Sequence, residues 1–180
     1  MSQKTYVRWP QNTSSGSLPL SRAFVVNASP LILLARIQHL HLLSALADPV
    51  VVPEAVIGEV EAGTGRDDAA ARVAEEPSIE TVADLDPPES ILRWDLGAGE
   101  SQVLAFARAH PGYEAVLDDQ AARHCARDLT IPYTGTLGVI LTCRHRGHIP
   151  RARPVVEALI EAGIRLTPTL VEAALAEVGE

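Results

Sequence analysis

The sequence predicts an α/β fold built on a parallel sheet. Three features carry that expectation. Short continuous apolar runs recur along the chain, at Ala23–Val26, residues 49–52 and residues 115–117, and strands buried on both faces read this way. Segments with apolar residues at helical spacing separate those runs, the alternation expected of βαβ units with helices on both faces of a sheet. Polar residues stand where runs stop, Asn27 after the first and the pair Asp118-Asp119 after a later one. Ligands of open α/β sheets lie just beyond the carboxyl ends of the strands, so these stops point to a site as well as to a fold.

Residues 1–21 mix Ser, Asn, Gln, Thr, Gly and Pro without an apolar period and are predicted to be a mobile extension. Residues 22–180 are expected to form one domain, because a chain of this length supports a single full core. The run Ala23–Val26 ends at Asn27, and Ser29-Pro30 then reads as a helix cap followed by proline at the first helical position. The helix LILLARI and a second helical turn, LHLLSAL, follow. Strand 49–52 leads to Pro53, which opens the helix EAVIGEVEAG, closed by Gly63.

Residues 64–95 are the least regular, with a helix over 66–76, a strand at Ile79–Val82 and a loop at Asp86-Pro87-Pro88. Gly99-Glu100 begins a helix whose apolar residues Val103, Leu104, Phe106 and Ala107 recur at helical spacing. Strand 114–118, helix 119–129, strand 131–134 and helix 136–146 come next, and amphipathic helices over 151–162 and 168–178 finish the chain. The sheet therefore has about four to five strands.

Composition narrows the class of protein. The hydrophobic fraction of 47% and charged fraction of 21% are those of a globular chain, while aromatics at 4% leave much of the core to Ala and Val. No run approaches the length of a membrane span, and the N-terminus lacks the basic-then-apolar order of a signal peptide. Cys125 and Cys143 have no metal-type spacing and are expected to be reduced core thiols of a cytoplasmic protein. A net charge of −8 argues against a protein that coats nucleic acid without specificity. Residues 120–153, however, carry Arg123, Arg127, Arg144, Arg146, Arg151 and Arg153 against the single acid Asp128, with His124, His145 and His148 interleaved. A basic segment beside an acidic cluster suits a phosphodiester held by arginine and cut at a metal, although solvated helix faces give the same pattern.

Asn27, Glu59, Glu100 and Asp118-Asp119 each lie near the end of a β/α unit. Carboxylate and carbonyl oxygens are the donors that Mg²⁺ and Mn²⁺ prefer, and such a metal can activate water and neutralise a scissile phosphate. No His or Cys set has zinc spacing, no Gly-x-Ser-x-Gly elbow is present, and Gly97-Ala98-Gly99 lacks the third glycine of a dinucleotide fingerprint. Each residue also has a structural alternative. Glu59 can be an exposed helix-face acid, Glu100 can complement a helix dipole, Asp119 can cap the next helix, and Asn27 can form an Asx-turn. Thr134 and Thr136 can cap the helix after them.

The joint order of these residues resembles that of PIN-domain proteins, in a subgroup of short prokaryotic predicted nucleic-acid-binding proteins. The resemblance rests on VVNASPLILLARI (25–37), VVVPEAVIGEV (50–60), DLGAGESQVLAFA (95–107), AVLDDQAARHCARDL (115–129) and IPYTGTLGVILTCRHRGHI (131–149), and it extends in collinear order over residues 23–178. It implies a three-layer α/β/α sandwich with a central parallel sheet, and a Mg²⁺- or Mn²⁺-dependent ribonuclease. It also implies RNA as substrate, a toxin paired with an antitoxin protein, and a homodimer. Glu59, Glu100, Asp118 and Asp119 take the places of the family's acids, with Ser29, Thr134 and Thr136 as hydroxyls bordering the site. Arg123, Arg127, Arg144 and Arg146 are the expected RNA contacts. One position departs from the pattern. The family's first-strand aspartate is Asn27 here, which keeps one neutral oxygen but loses a charge that Mg²⁺ binding relies on. An active nuclease with a weakened site and an inert scaffold that binds RNA or a protein are both compatible with that change.

Overall fold

The computed structural model describes residues 22–63 and 68–180; the predicted extension 1–21 and the first two residues of the predicted helix 66–76 lie outside them. Five strands, β1 (Ala23–Val26), β2 (Val50–Pro53), β3 (Ile79–Val82), β4 (Tyr113–Val116) and β5 (Tyr133–Thr134), form one sheet. All four pairings are parallel, in the order β3-β2-β1-β4-β5. Helices flank this sheet in a three-layer α/β/α sandwich. They are α1 (Ala28–Arg36), α2 (His41–Ser44), α3 (Glu54–Gly63), α4 (Ala69–Glu75) and α5 (Glu89–Leu92), followed by α6 (Ala98–Ala109), α7 (Gln120–Asp128), α8 (Thr136–His145), α9 (Arg153–Glu161) and α10 (Pro168–Glu177).

Burial explains the strand order. Every residue of β1 (AFVV) and β2 (VVVP) is buried, whereas none of β3 (IETV) is. The all-apolar runs take the middle, where helices cover both faces, and the mixed run takes an edge. Valine and alanine line the sheet, while Leu31, Leu34, Leu42, Leu43, Leu104 and Leu141 supply most of the large, fully buried side chains of the helices.

The chain runs outward from β1 through β2 to β3, then returns to lay β4 on the other side of β1. Strand order therefore reverses between β1 and β4, and a crevice opens at the carboxyl ends of such strands. Val26 is in register with Val116. The ladder continues one step, with the Asn27 N–H donating to the Val116 carbonyl at 3.1 Å and the Leu117 N–H to the Thr134 carbonyl at 2.9 Å. Asn27 and Asp118 are thus delivered to the same end of the sheet.

Several boundaries shift by one or two residues, with Pro53 closing β2 rather than opening α3 and β4 ending at Val116 rather than residue 118, and three further local expectations differ from the structure. The cap of α1 is Asn27 and its first residue is Ala28, so Ser29-Pro30 lies inside the first turn. Asn27 gives α1 no side-chain cap: its Nδ2 is turned to Glu100, and its Oδ1 accepts no hydrogen bond among the described residues. β5 begins at Tyr133 rather than residue 131, since the Ile131 N–H is spent closing α7 on the Ala126 carbonyl at 2.8 Å and Pro132 has no N–H. A short helix, α5, occupies part of the irregular stretch before Gly97 and is anchored by its own fully buried Ile91.

Candidate active site at the β1/β4 crevice

Asn27, Ser29, Glu59, Glu100, Asp118 and Asp119 line one cleft of about 730 Å³. Thr134 and Thr136 stand behind it rather than on its wall. The elements that present these side chains follow from the fold. Asn27 ends β1, Asp118 and Asp119 follow β4, and Glu59 and Glu100 come from α3 and the first turn of α6, two helices that pack together.

Asn27 is 1% exposed, and its Nδ2 donates to Glu100 Oε1 at 3.0 Å. Its Oδ1 is buried without a hydrogen-bond partner among the described residues, a state that costs about 1–3 kcal/mol when nothing offsets it. Glu59 Oε1 accepts the Gly99 N–H at 2.7 Å, so this carboxylate also sits at the positive end of α6. The glycines at 97 and 99 make room for the acids. A Cβ on Gly99 would overlap Glu59 Oε2 and come within 2.9 Å of Asn27 Oδ1, and one on Gly97 would overlap Glu100 Oε2. Gly97-Ala98-Gly99, set aside as a nucleotide fingerprint, is the backbone against which the carboxylates rest.

Asp118 is held by three donors. Oδ1 accepts from the Thr136 N–H at 2.9 Å and from Arg123 Nη2 at 3.2 Å, and Oδ2 accepts from the Thr136 hydroxyl at 2.5 Å. Arg123 Nε donates in turn to the Leu117 carbonyl at 2.7 Å. The guanidinium lies against Gly135, where a Cβ would overlap it. Asp118, Arg123 and the Gly135-Thr136 corner therefore clasp the end of β4 to the start of α8. Asp119 is exposed and does cap α7, its Oδ1 accepting the Ala122 N–H at 2.9 Å.

The donor set on the cleft is made of carboxylate and amide oxygens. Such oxygens suit Mg²⁺ or Mn²⁺ in kind, and the partnerless Asn27 Oδ1 is a further neutral donor. Among the described residues no three acidic, His or Cys side chains are grouped as a ready-made metal cage. Each of the four carboxylates instead accepts a hydrogen bond from an N–H donor.

The four arginines expected to contact RNA are not on the cleft wall. Arg123 is built into the clasp, and Arg144 Nε pairs with Glu180 Oε1 at 2.9 Å. Arg127 and Arg146 are exposed elsewhere on the surface. Among the described residues the cations on the cleft wall are Arg36 and Arg165, which sequence reasoning passed over because both lie outside the basic segment. The glycine two residues before Arg165, just past a helical period, was the available signal.

Among the described residues no helix is long and apolar enough to cross a membrane. A family model described as a PIN domain matches residues 23–180. No curated protein matches the chain.

Proposed function

The chain belongs to the PIN-domain family, and from that premise we propose that it is a metal-dependent ribonuclease, the toxin of a toxin–antitoxin pair. The observation that carries this reading is the convergence of Glu59, Glu100, Asp118 and Asp119 on one cleft at the switch point of the sheet. Those acids, with the neutral oxygen of Asn27, would hold Mg²⁺ or Mn²⁺. A bound divalent ion supplies charge neutralisation at the phosphate and a more acidic water. The chain's own contribution is positioning: Gly99 fixes Glu59, the Arg123–Thr136 clasp fixes Asp118, and the α7 cap fixes Asp119. The proposal includes a homodimer and a partner antitoxin, which the resemblance implies. Free, buried Cys125 and Cys143 suit the reducing cytoplasm.

Asp119→Asn is the variant of choice, because asparagine caps a helix as well as aspartate does and removes only the charge. With Mn²⁺, the wild type is expected to cut RNA and the variant to lose activity by about 100-fold or more. Cleavage unchanged by the substitution would reject the site.

A second reading is favoured by one contact. The Asn27 amide satisfies Glu100 directly, with no cation needed between them, as expected of a PIN scaffold that binds RNA or a protein without cutting. It predicts salt-sensitive RNA binding with no turnover in either metal.

A further inference from the structure

The cleft has a cationic end. Arg36 and Arg165 line it together with Ile32, Leu33 and Ile164. The local sequence builds this end. α9 stops in a Schellman turn, in which Gly163 takes φ +109°, its N–H donates to the Ile160 carbonyl, and the Ile164 N–H donates to the Leu159 carbonyl, both at 3.1 Å. Ile164 packs against the core and Arg165, the next residue, is exposed. Arg165 has no ion-pair partner among the described residues. From the facing side Arg36, the last residue of α1, donates to the Ala162 carbonyl at 3.3 Å, tying the turn to α1.

The two ends of the cleft are a fixed distance apart. α1 starts beside Asn27 and ends at Arg36, and a helix of that length spans about 12 Å at 1.5 Å per residue. A cation based at the far end is therefore placed for a phosphate further along the same strand than the one at the acids.

We propose that Arg165, on the turn pinned by Arg36, seats a backbone phosphate of a single-stranded polynucleotide that runs along α1 to the acids. The proposal rests on the nuclease reading above and extends it to the path of the substrate. Among the described residues no aromatic side chain lines the cleft, so on this wall base stacking contributes little and charge carries much of the affinity.

The test is fluorescence anisotropy of a labelled single-stranded RNA of about ten nucleotides, titrated with salt in EDTA so that no cleavage occurs. Arg165→Gln is expected to weaken binding about 5- to 10-fold and to reduce the salt slope by about 0.7, the contribution of one phosphate contact on a single strand. Arg165→Lys is expected to keep the slope, and Arg108→Gln, an exposed arginine outside the cleft, to keep both. Equal thermal melts of the wild type and Arg165→Gln show that the fold is intact. If the wild type binds and Arg165→Gln matches it in affinity and slope, the seat is wrong and the nuclease reading stands. If the wild type binds no strand at low salt, the seat falls, and the nuclease reading is decided separately by RNA cleavage in Mn²⁺.

Discussion

An aspartate at position 27 would face Glu100 across 3.0 Å, the distance at which the Asn27 amide now donates to it. Two carboxylates that close repel by roughly 5 kcal/mol at an effective dielectric of about 20, unless a proton or a cation lies between them. The amide removes that repulsion and with it part of the pull on a metal. Asn27→Asp should therefore melt at a lower temperature than the wild type in EDTA. It should bind Mn²⁺ about 10-fold more tightly, about 1.4 kcal/mol, and cleave RNA faster. Thermal melts with and without Mn²⁺ read the first two effects. No change in metal affinity or cleavage would place residue 27 outside the reach of the ion. Asn27, Glu100, Asp118 and Asp119 on the cleft wall were legible in the sequence because strand ends and a helix start mark them locally. The contacts of Asp118 were not: Thr136, expected only to border the site, meets it through the register of β4 on β5, and Arg123, expected to hold RNA, turns back on it from α7.

Helix ends show the same division. α8, α9 and α10 each end on a glycine in positive φ, Gly147, Gly163 and Gly179. In each the following N–H reaches back to the carbonyl five residues earlier, at 2.9, 3.1 and 3.0 Å. Their predicted ends at 146, 162 and 178 coincide with the caps Arg146, Ala162 and Val178, since glycine announces such a turn. α1 and α7 end in the same way on Gln38 at φ +61° and Thr130 at φ +55°, where nothing in the residue type announces it. A helix as short as α5 shows no period at all. A β-branched residue in the left-handed region is strained by about 1–2 kcal/mol. Exposed Thr130 recovers part of that through its hydroxyl, which donates to the Leu129 carbonyl at 2.7 Å. Thr130→Gly should accordingly stabilise the protein by about 1 kcal/mol after the extra freedom of glycine in the unfolded chain is counted. Chemical denaturation measures this, and a lowered midpoint would mean that the hydroxyl contact outweighs the strain.

Over the whole molecule, charge read along the chain did not map onto a surface. The segment 120–153 is rich in arginine, yet Arg123, Arg144, Arg151 and Arg153 pair with Asp118, Glu180, Glu180 and Glu172, acids that lie outside that segment. Glu180 is the centre of this arrangement. Held after the glycine turn of α10, its carboxylate accepts the Ala152 N–H at 2.7 Å and the Arg153 N–H at 3.1 Å at the start of α9, and Arg144 Nε of α8 at 2.9 Å. These donors, the two backbone N–H groups foremost, hold its carboxyl at about 2, well below the ordinary value of 4.5. A carboxyl depressed on folding stabilises the folded state above its unfolded pKa and loses that contribution as pH falls through the folded one. Glu180→Gln should therefore be less stable than the wild type at neutral pH, and the gap should close as pH falls from about 4.5 to about 2. Comparing urea midpoints of the two proteins from about pH 6 to about pH 2 cancels the carboxylates they share. A gap that stays constant over that range would show that the shape of the side chain, and not its charge, fastens α8, α9 and α10 together.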